Sequence, residues 1–272
     1  VTTTTIRPSR RLPSLGLGEL AGSRDLFFLL VWRSIKLRYK QTAIGGAWAV
    51  LQPLALMVVF TVFFGRFAHV SSDGAPYAVF VYSALVPWTL FFQAASQASD
   101  SLVASAQVIT KVYFPRLLLP LAAAAASLLD AIISLVLLVG LMAYYGVRPR
   151  PVIAALPAIT LLAFVVALAV STWLSALNVR YRDVRYAMPL LFQVWLFATP
   201  VAYSFSAVPL RWRGLVALNP MVSVVNLSRW ALLGTSPGSL LEIVLSLLVT
   251  AVLGMTGLAY FRHTERGFAD LV

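Results

Sequence analysis

Four charges stand within six residues in NVRYRDVRY: Arg180, Arg182, Asp183 and Arg185. The 25 residues over 186–210 that follow them are uncharged, and the apolar run over 152–177 precedes them without a charge. Charges so placed can hold a chain turn at an anionic lipid surface, which needs only the arginines. Asp183 is surplus to that role. It points to a fixed ion pair gating the ends of two apolar segments, or to a contact with a partner. A second candidate is Asp130, alone in AAAASLLDAIISLVLL. An ionisable residue inside an apolar span is a functional candidate, although a hydrogen-bonded packing role beside the small residues 122–127 serves equally well. Catalytic patterns are sparse. Neither Gly-x-x-x-x-Gly-Lys-Ser/Thr nor HExxH occurs, and the GxSxG spelling at 234–238 falls within the broken segment 205–238. There is no cysteine for a disulfide or thiolate site. The acids near apolar segments, Asp100, Asp130 and Glu242, are scattered. No catalytic, cofactor-binding or metal-ligating set is expected, and the chain reads as a non-enzyme.

The elements that must carry these residues follow from composition. Of 272 residues, 60% are hydrophobic and 11% charged, whereas a soluble domain carries about 25% charged residues. Uncharged runs of roughly 20 residues recur, each long enough to cross a hydrocarbon core as a helix. The expected fold is an all-α polytopic membrane protein with six spans at about 45–65, 76–97, 117–145, 152–177, 187–204 and 239–261. Residues 20–272 read as one transmembrane domain, and 1–19 as a flexible tail without the apolar stretch of a cleaved signal. With that tail in the cytoplasm, fifteen of the 21 Lys and Arg residues fall inside and six outside, which predicts both termini inside. The net charge of +12 is thereby explained without nucleic acid.

Three segments are more than plain connections. Residues 20–43 carry Phe28, Val31, Trp32, Ile35 and Tyr39 at helical spacing, with Arg33, Lys36 and Lys40 on another side; this predicts an amphipathic helix in the membrane interface. In 98–116, Ser99 and Asp100 are candidate caps of a short loop helix running to Thr110, followed by Lys111 and the corner Phe114-Pro115-Arg116. Residues 205–238 are too apolar for a solvated loop, yet are broken by Pro209, Arg211, Arg213, Asn219-Pro220, Arg229, Gly234 and Pro237. They predict an extracellular re-entrant helical hairpin between spans five and six.

Aromatic residues make up 12% of the chain and crowd spans two and five. Belts at the lipid interface account for span ends. A sugar-conducting path would use the same rings, because sugar C–H faces are apolar. Phe192, Trp195 and Thr199 recur one helical step apart and are the candidate channel-lining face.

Taken together, RYKQTAIGGAWAVLQPLALMVVFTVFFG, KVYFPRLLLP, NVRYRDVRYAMPLLFQVWLFATPVAY and LNPMVSVVNLSRWALLG resemble the permease subunits of polysaccharide ABC exporters. The positions that carry the likeness are Arg38, Tyr39, Gly45, Trp48, Pro53, Asn178, Arg182, Asp183, Thr199, Pro200, Tyr203, Asn219, Pro220 and Arg229. The resemblance covers about residues 20–270. It implies a homodimer in the bacterial inner membrane, paired with two copies of a separate ABC ATPase that binds the ATP and Mg. It implies export of a lipid-linked glycan of O-antigen, teichoic acid or galactan type, serving cell-wall or surface biogenesis. It also implies that the interface helix and first loop helix, through Arg33, Lys36, Ser99, Asp100, Lys111 and Arg116, couple to the ATPase, and that the hairpin with Arg211, Asn219, Pro220 and Arg229 caps the channel. An exporter of drugs or small lipids with the same architecture is the alternative.

Overall fold

The computed structural model describes residues 22–40, 47–111 and 114–268, apart from the side chains of 110 and 266. The expected tail over 1–19 and Gly45 lie outside them. Every regular element among the described residues is helical. These are α1 (Arg24–Tyr39), α2 (Trp48–Phe67), α3 (Tyr77–Ala104), α4 (Ala106–Lys111), α5 (Leu118–Tyr144), α6 (Leu156–Arg180), α7 (Val184–Ala198), α8 (Leu210–Ala217), α9 (Pro220–Leu233) and α10 (Leu240–Thr264). Helix is the element that satisfies its own backbone where lipid offers no partners. Five of them, α2, α3, α5, α6 and α10, are long and apolar enough to cross a membrane.

Helix α3 is the central post. Its span is 89% buried within the chain, against 17–50% for the other four. Small residues permit this. Ala94, Ala95 and Ala98 of α3 are fully buried, as are Ala124 of α5 and Ala163 and Ala167 of α6. Without a hydrophobic drive between helices in lipid, such close backbone packing is what holds spans together. The same device joins α10 to α6, where a Cβ on Gly257 would run into Thr172 and Trp173.

Two expected boundaries move. Span two does not stop at 97 but continues as one helix to Ala104, so Ser99 and Asp100 lie inside α3 and cap nothing. The Ser99 hydroxyl, which a cap would turn onto a free N–H, donates instead to the Ala95 carbonyl at 2.6 Å, and the loop helix shortens to Ala106–Lys111. Span five is helical only over Val184–Ala198, about 22 Å of rise, and the chain then turns through 199–204.

Helices α8 and α9 form a pair bent by 105°. Their corner does not sit level with the start of α10. The Pro220 carbonyl accepts from the Ser246 hydroxyl at 3.0 Å, six residues past Leu240 and therefore about 9 Å along α10. Helix α9 climbs back from that depth. It ends at Gly234, whose φ of +74° lets its N–H donate to the Arg229 and Trp230 carbonyls, as left-handed C-terminal glycines do.

The two ends of the bundle differ. One gathers α1, α4, the 180–184 turn and residues 265–268 around Leu30, Leu102, Phe114, Val179 and Phe268. It is the basic end, with Arg33, Lys36, Lys111, Arg180, Arg182 and Arg185 all exposed. The opposite end gathers the 68–76 loop, 199–209 and the α8–α9 pair.

Candidate functional site

At the basic end, helix α1 is pinned rather than loosely laid. Arg38 forms an ion pair with Asp130 of α5 and its guanidinium also reaches the Ser127 hydroxyl; the Tyr39 hydroxyl donates to the other Asp130 oxygen. Asp130 thus answers to the Arg38-Tyr39 pair, 92 residues away. Partial burial and the adjoining Asp130 carboxylate push the Tyr39 hydroxyl up to about 12, so it stays protonated and donating at any physiological pH. Helix α1 packs through Leu30, with Leu26, Phe27 and Val31 beside it. Phe28 and Trp32 of the expected interface face take no part in this packing. Phe28, Leu29, Trp32 and Leu37 are exposed, a surplus of apolar surface around a helix whose polar residues are also exposed. Lys36 lies over the Trp32 ring at 5.4 Å.

The remaining expected coupling residues separate into two groups. Arg33, Lys36 and Lys111 are open. Ser99, Asp100 and Arg116 are engaged. Asn178 donates its amide to the Ser99 carbonyl at 3.0 Å and to the Asp100 carboxylate at 3.1 Å, tying the end of α6 to α3. Arg116 is held by Glu265: its backbone N–H donates to the carboxylate at 3.3 Å and its guanidinium to the Glu265 carbonyl. Glu265 also pairs with Arg262 at 3.0 Å. Glu265 gave no signal in the sequence, because an acid after the last apolar run resembles any polar terminus.

Asp183 makes no ion pair with Arg180, Arg182 or Arg185 among the described residues, contrary to the expected fixed pair. All four side chains are exposed, and exposed pairs gain too little to order long side chains. Their sequence order has another cause. Arg180 closes α6 and stacks on Tyr181 at 5.5 Å, while Asp183 precedes α7. Each charge complements the helix terminus it adjoins. Arg182 and Arg185 remain open toward a partner.

At the opposite end, residues expected in two separate roles meet. The Trp195 indole N–H donates to the Asn219 side-chain oxygen at 2.9 Å, which also accepts the Met221 N–H at 3.0 Å as the N-cap of α9. The Asn219 amide donates to the Thr199 hydroxyl at 2.9 Å, and that hydroxyl to the Trp195 carbonyl at 2.9 Å. Phe192 packs against Phe91 and Phe92, and Trp195 against Phe91. Phe192 and Thr199 are buried within the chain, so this row is not an open lining. It faces α3 because aromatic contacts there exclude water and lipid alike. The open face of α7 carries Leu190, Leu191, Val194 and Phe197. Asn219→Ala removes a cap and two side-chain bonds, at a cost of about 2 kcal/mol. Thr199→Val removes less. The thermal midpoint of the purified protein should fall further for Asn219→Ala; equal midpoints would show that this network carries no stability.

Arg229 completes this end. It is 2% exposed and donates to the carbonyls of Pro200 (2.6 Å), Val201 (2.6 Å), Tyr203 (3.1 Å) and Phe80 (3.4 Å). Its guanidinium lies 3.6 Å over the Phe80 ring. It cinches the irregular chain after α7 onto α3. Pro220 is buried at the start of α9, whereas Arg211 is exposed over Trp212.

This arrangement of long spans, a pinned terminal helix and a bent helix pair coincides with a family match. Residues 25–233 match the family described as ABC-2 type transporter. The chain belongs to that family. This ABC-2 transporter chain is similar along most of its length to proteins named O-antigen export system permease. One from Myxococcus xanthus is 31% identical over 76% of this chain and 80% of its own. Another from Klebsiella pneumoniae is 26% identical over 91% and 95%. A polysialic acid transport protein from Escherichia coli is 24% identical over 87% and 92%. The membership makes this chain a transport component.

Proposed function

We propose that this chain is the transmembrane subunit of an ATP-driven exporter that moves a lipid-linked polysaccharide across the bacterial inner membrane. The observation that carries the reading is the similarity, over 76–91% of the chain, to proteins named for O-antigen export and polysialic acid transport. The chain would act as a homodimer with two copies of a separate ABC ATPase, which holds the ATP and Mg.

The basic end faces the cytoplasm in this reading, as the positive-inside rule requires. Residues 24 and 268 both lie there, so the chain crosses an even number of times. With five long spans, the sixth crossing falls to short α7, and the α8–α9 pair enters from the outer side and returns. That supports the re-entrant hairpin. α1 lies in the inner interface. The dimer and glycan path use the open faces of α2 and α7, two helices that meet where the buried Phe60 and the exposed Phe197 lie 6.5 Å apart; Phe192, Trp195 and Thr199 back that wall. The exposed Arg33, Lys36, Lys111, Arg182 and Arg185, whose side chains make no hydrogen bond or ion pair among the described residues, form the ATPase surface.

Reversing Arg182 and Arg185 to glutamate should reduce the ATPase recovered with tagged permease at least about fivefold, while Arg211→Glu at the other end should leave it unchanged. Equal recovery from all three proteins would remove this docking surface. The export reading is tested in proteoliposomes holding permease and ATPase. ATP should drive a polyprenyl-linked glycan across the bilayer. Export of a small drug or lipid without any glycan movement would favour the alternative.

A further inference from the structure

At the end opposite the basic one, a cavity of about 390 Å³ opens between the 71–76 turn, the chain after α7, α9 and the start of α10. We infer that it is a binding site for a single sugar ring of the neutral, hydroxyl-rich kind. The inference rests on the export reading above and names a site that reading does not contain. Three observations carry it.

First, the cavity holds a free amide. Asn226, on α9, is 6% exposed, lines the cavity and makes no hydrogen bond among the described residues. Its amide faces the cavity and stands ready to donate and accept at once.

Second, the charges suit neither an anion nor a metal ion. Asp73 and Glu242 face Arg213 and Arg229, so two acids balance two cations. The cations are turned away: Arg229 is occupied by the four carbonyls described above, and Arg213 donates to the Val208 and Ser206 carbonyls, each at 3.0 Å. A phosphate would find few free donors. The acids keep accepting capacity. Asp73 receives the Ser204 and Ser206 hydroxyls at 2.5 and 3.4 Å; one oxygen of Glu242 receives the Ser239 N–H at 2.8 Å, and the other has no partner among the described residues. Unfilled carboxylate lone pairs call for a ligand that brings hydroxyl donors. No group of three or more metal-ligating residues exists among the described residues to claim them instead.

Third, size and shape fit one ring. The volume lies at the small end of the roughly 300–1,000 Å³ of small-molecule sites, and Phe205, with the Arg213 guanidinium 5.7 Å over its ring, adds an apolar residue to the wall. A site this small holds one unit weakly and releases it, as conduction demands.

The test uses the full-length chain in nanodiscs and saturation-transfer NMR with methyl β-galactoside, methyl α-mannoside and methyl α-rhamnoside, with methylphosphonate as the anionic control. Transfer to at least one glycoside and none to methylphosphonate is expected. Asn226→Leu and Glu242→Gln should each weaken that binding about tenfold, the weight of one or two hydrogen bonds. No transfer to any glycoside would overturn the site, as would transfer unchanged in both variants. If Asn226→Leu does not elute as a folded protein, Glu242→Gln alone decides. Sugar binding without ATP-driven glycan export would remove the export reading and leave this site; export without sugar binding would do the reverse.

Discussion

Arg229→Leu should abolish recovery of folded protein. The side chain is almost wholly buried, and three of its four carbonyl partners, Pro200, Val201 and Tyr203, belong to irregular chain with no helix to satisfy them. Leucine fills comparable space but offers no donor. Each orphaned acceptor costs about 1–3 kcal/mol, so the total reaches about 4 kcal/mol or more, against a net stability of about 5–15 kcal/mol for a typical domain. The stacking on Phe80 at 3.6 Å is lost as well. Lysine keeps the charge but concentrates its three donors on one nitrogen, and it cannot span carbonyls on both sides of a planar fork. Arg229→Lys should therefore fold in part and melt well below wild type. The measurement is the monodisperse fraction after detergent extraction, followed by a thermal melt. Wild-type yield and melting of Arg229→Leu would show that the 200–203 segment holds its place without this clamp.

How much of this was open to reading in the sequence differs by residue, and the reason is distance along the chain. The spans were legible because each is a local run of apolar residues. So was the break over 205–238, where Asn219-Pro220 and Gly234 mark helix ends by their own chemistry. Ser99 and Asp100 misled because serine and aspartate favour helix caps in water. Inside the bundle the Ser99 hydroxyl turns back onto Ala95, and the partner of Asp100 is Asn178, 78 residues on. The Phe192 row was visible as a face, but nothing local says whether a face meets a path or another helix. Phe91 and Phe92 decide it. For Asp183 the nearby arginines suggested pairing, and exposure removes the motive for it.

The Arg38–Asp130 lock gives the other large effect, and the one most informative about function. Asp130 keeps only 8% of its side-chain surface exposed and Arg38 22%. Breaking a buried pair by removing one partner strands the other, at about 3–5 kcal/mol; the exposure left to Arg38 places this pair near the lower figure. Arg38→Met and Asp130→Leu should each destabilise the protein by about 3 kcal/mol. Together they should be far less harmful than their sum, because an apolar pair of similar volume carries no stranded charge. The loss of the Tyr39 bond to Asp130 remains in the double variant, which keeps recovery incomplete. Thermal melts of the four proteins give the coupling; additive losses would mean that the contact contributes nothing. The double variant then separates structure from transport. Helix α1 presents Arg33 and Lys36 on one side and is fixed to α5 by this lock, so force from an ATPase on α1 would enter the bundle through Arg38 and Asp130. A double variant that folds and binds ATPase normally but has lost most of its ATP-driven export would place the lock in that route. One that exports at the wild-type rate would confine it to holding α1 in place.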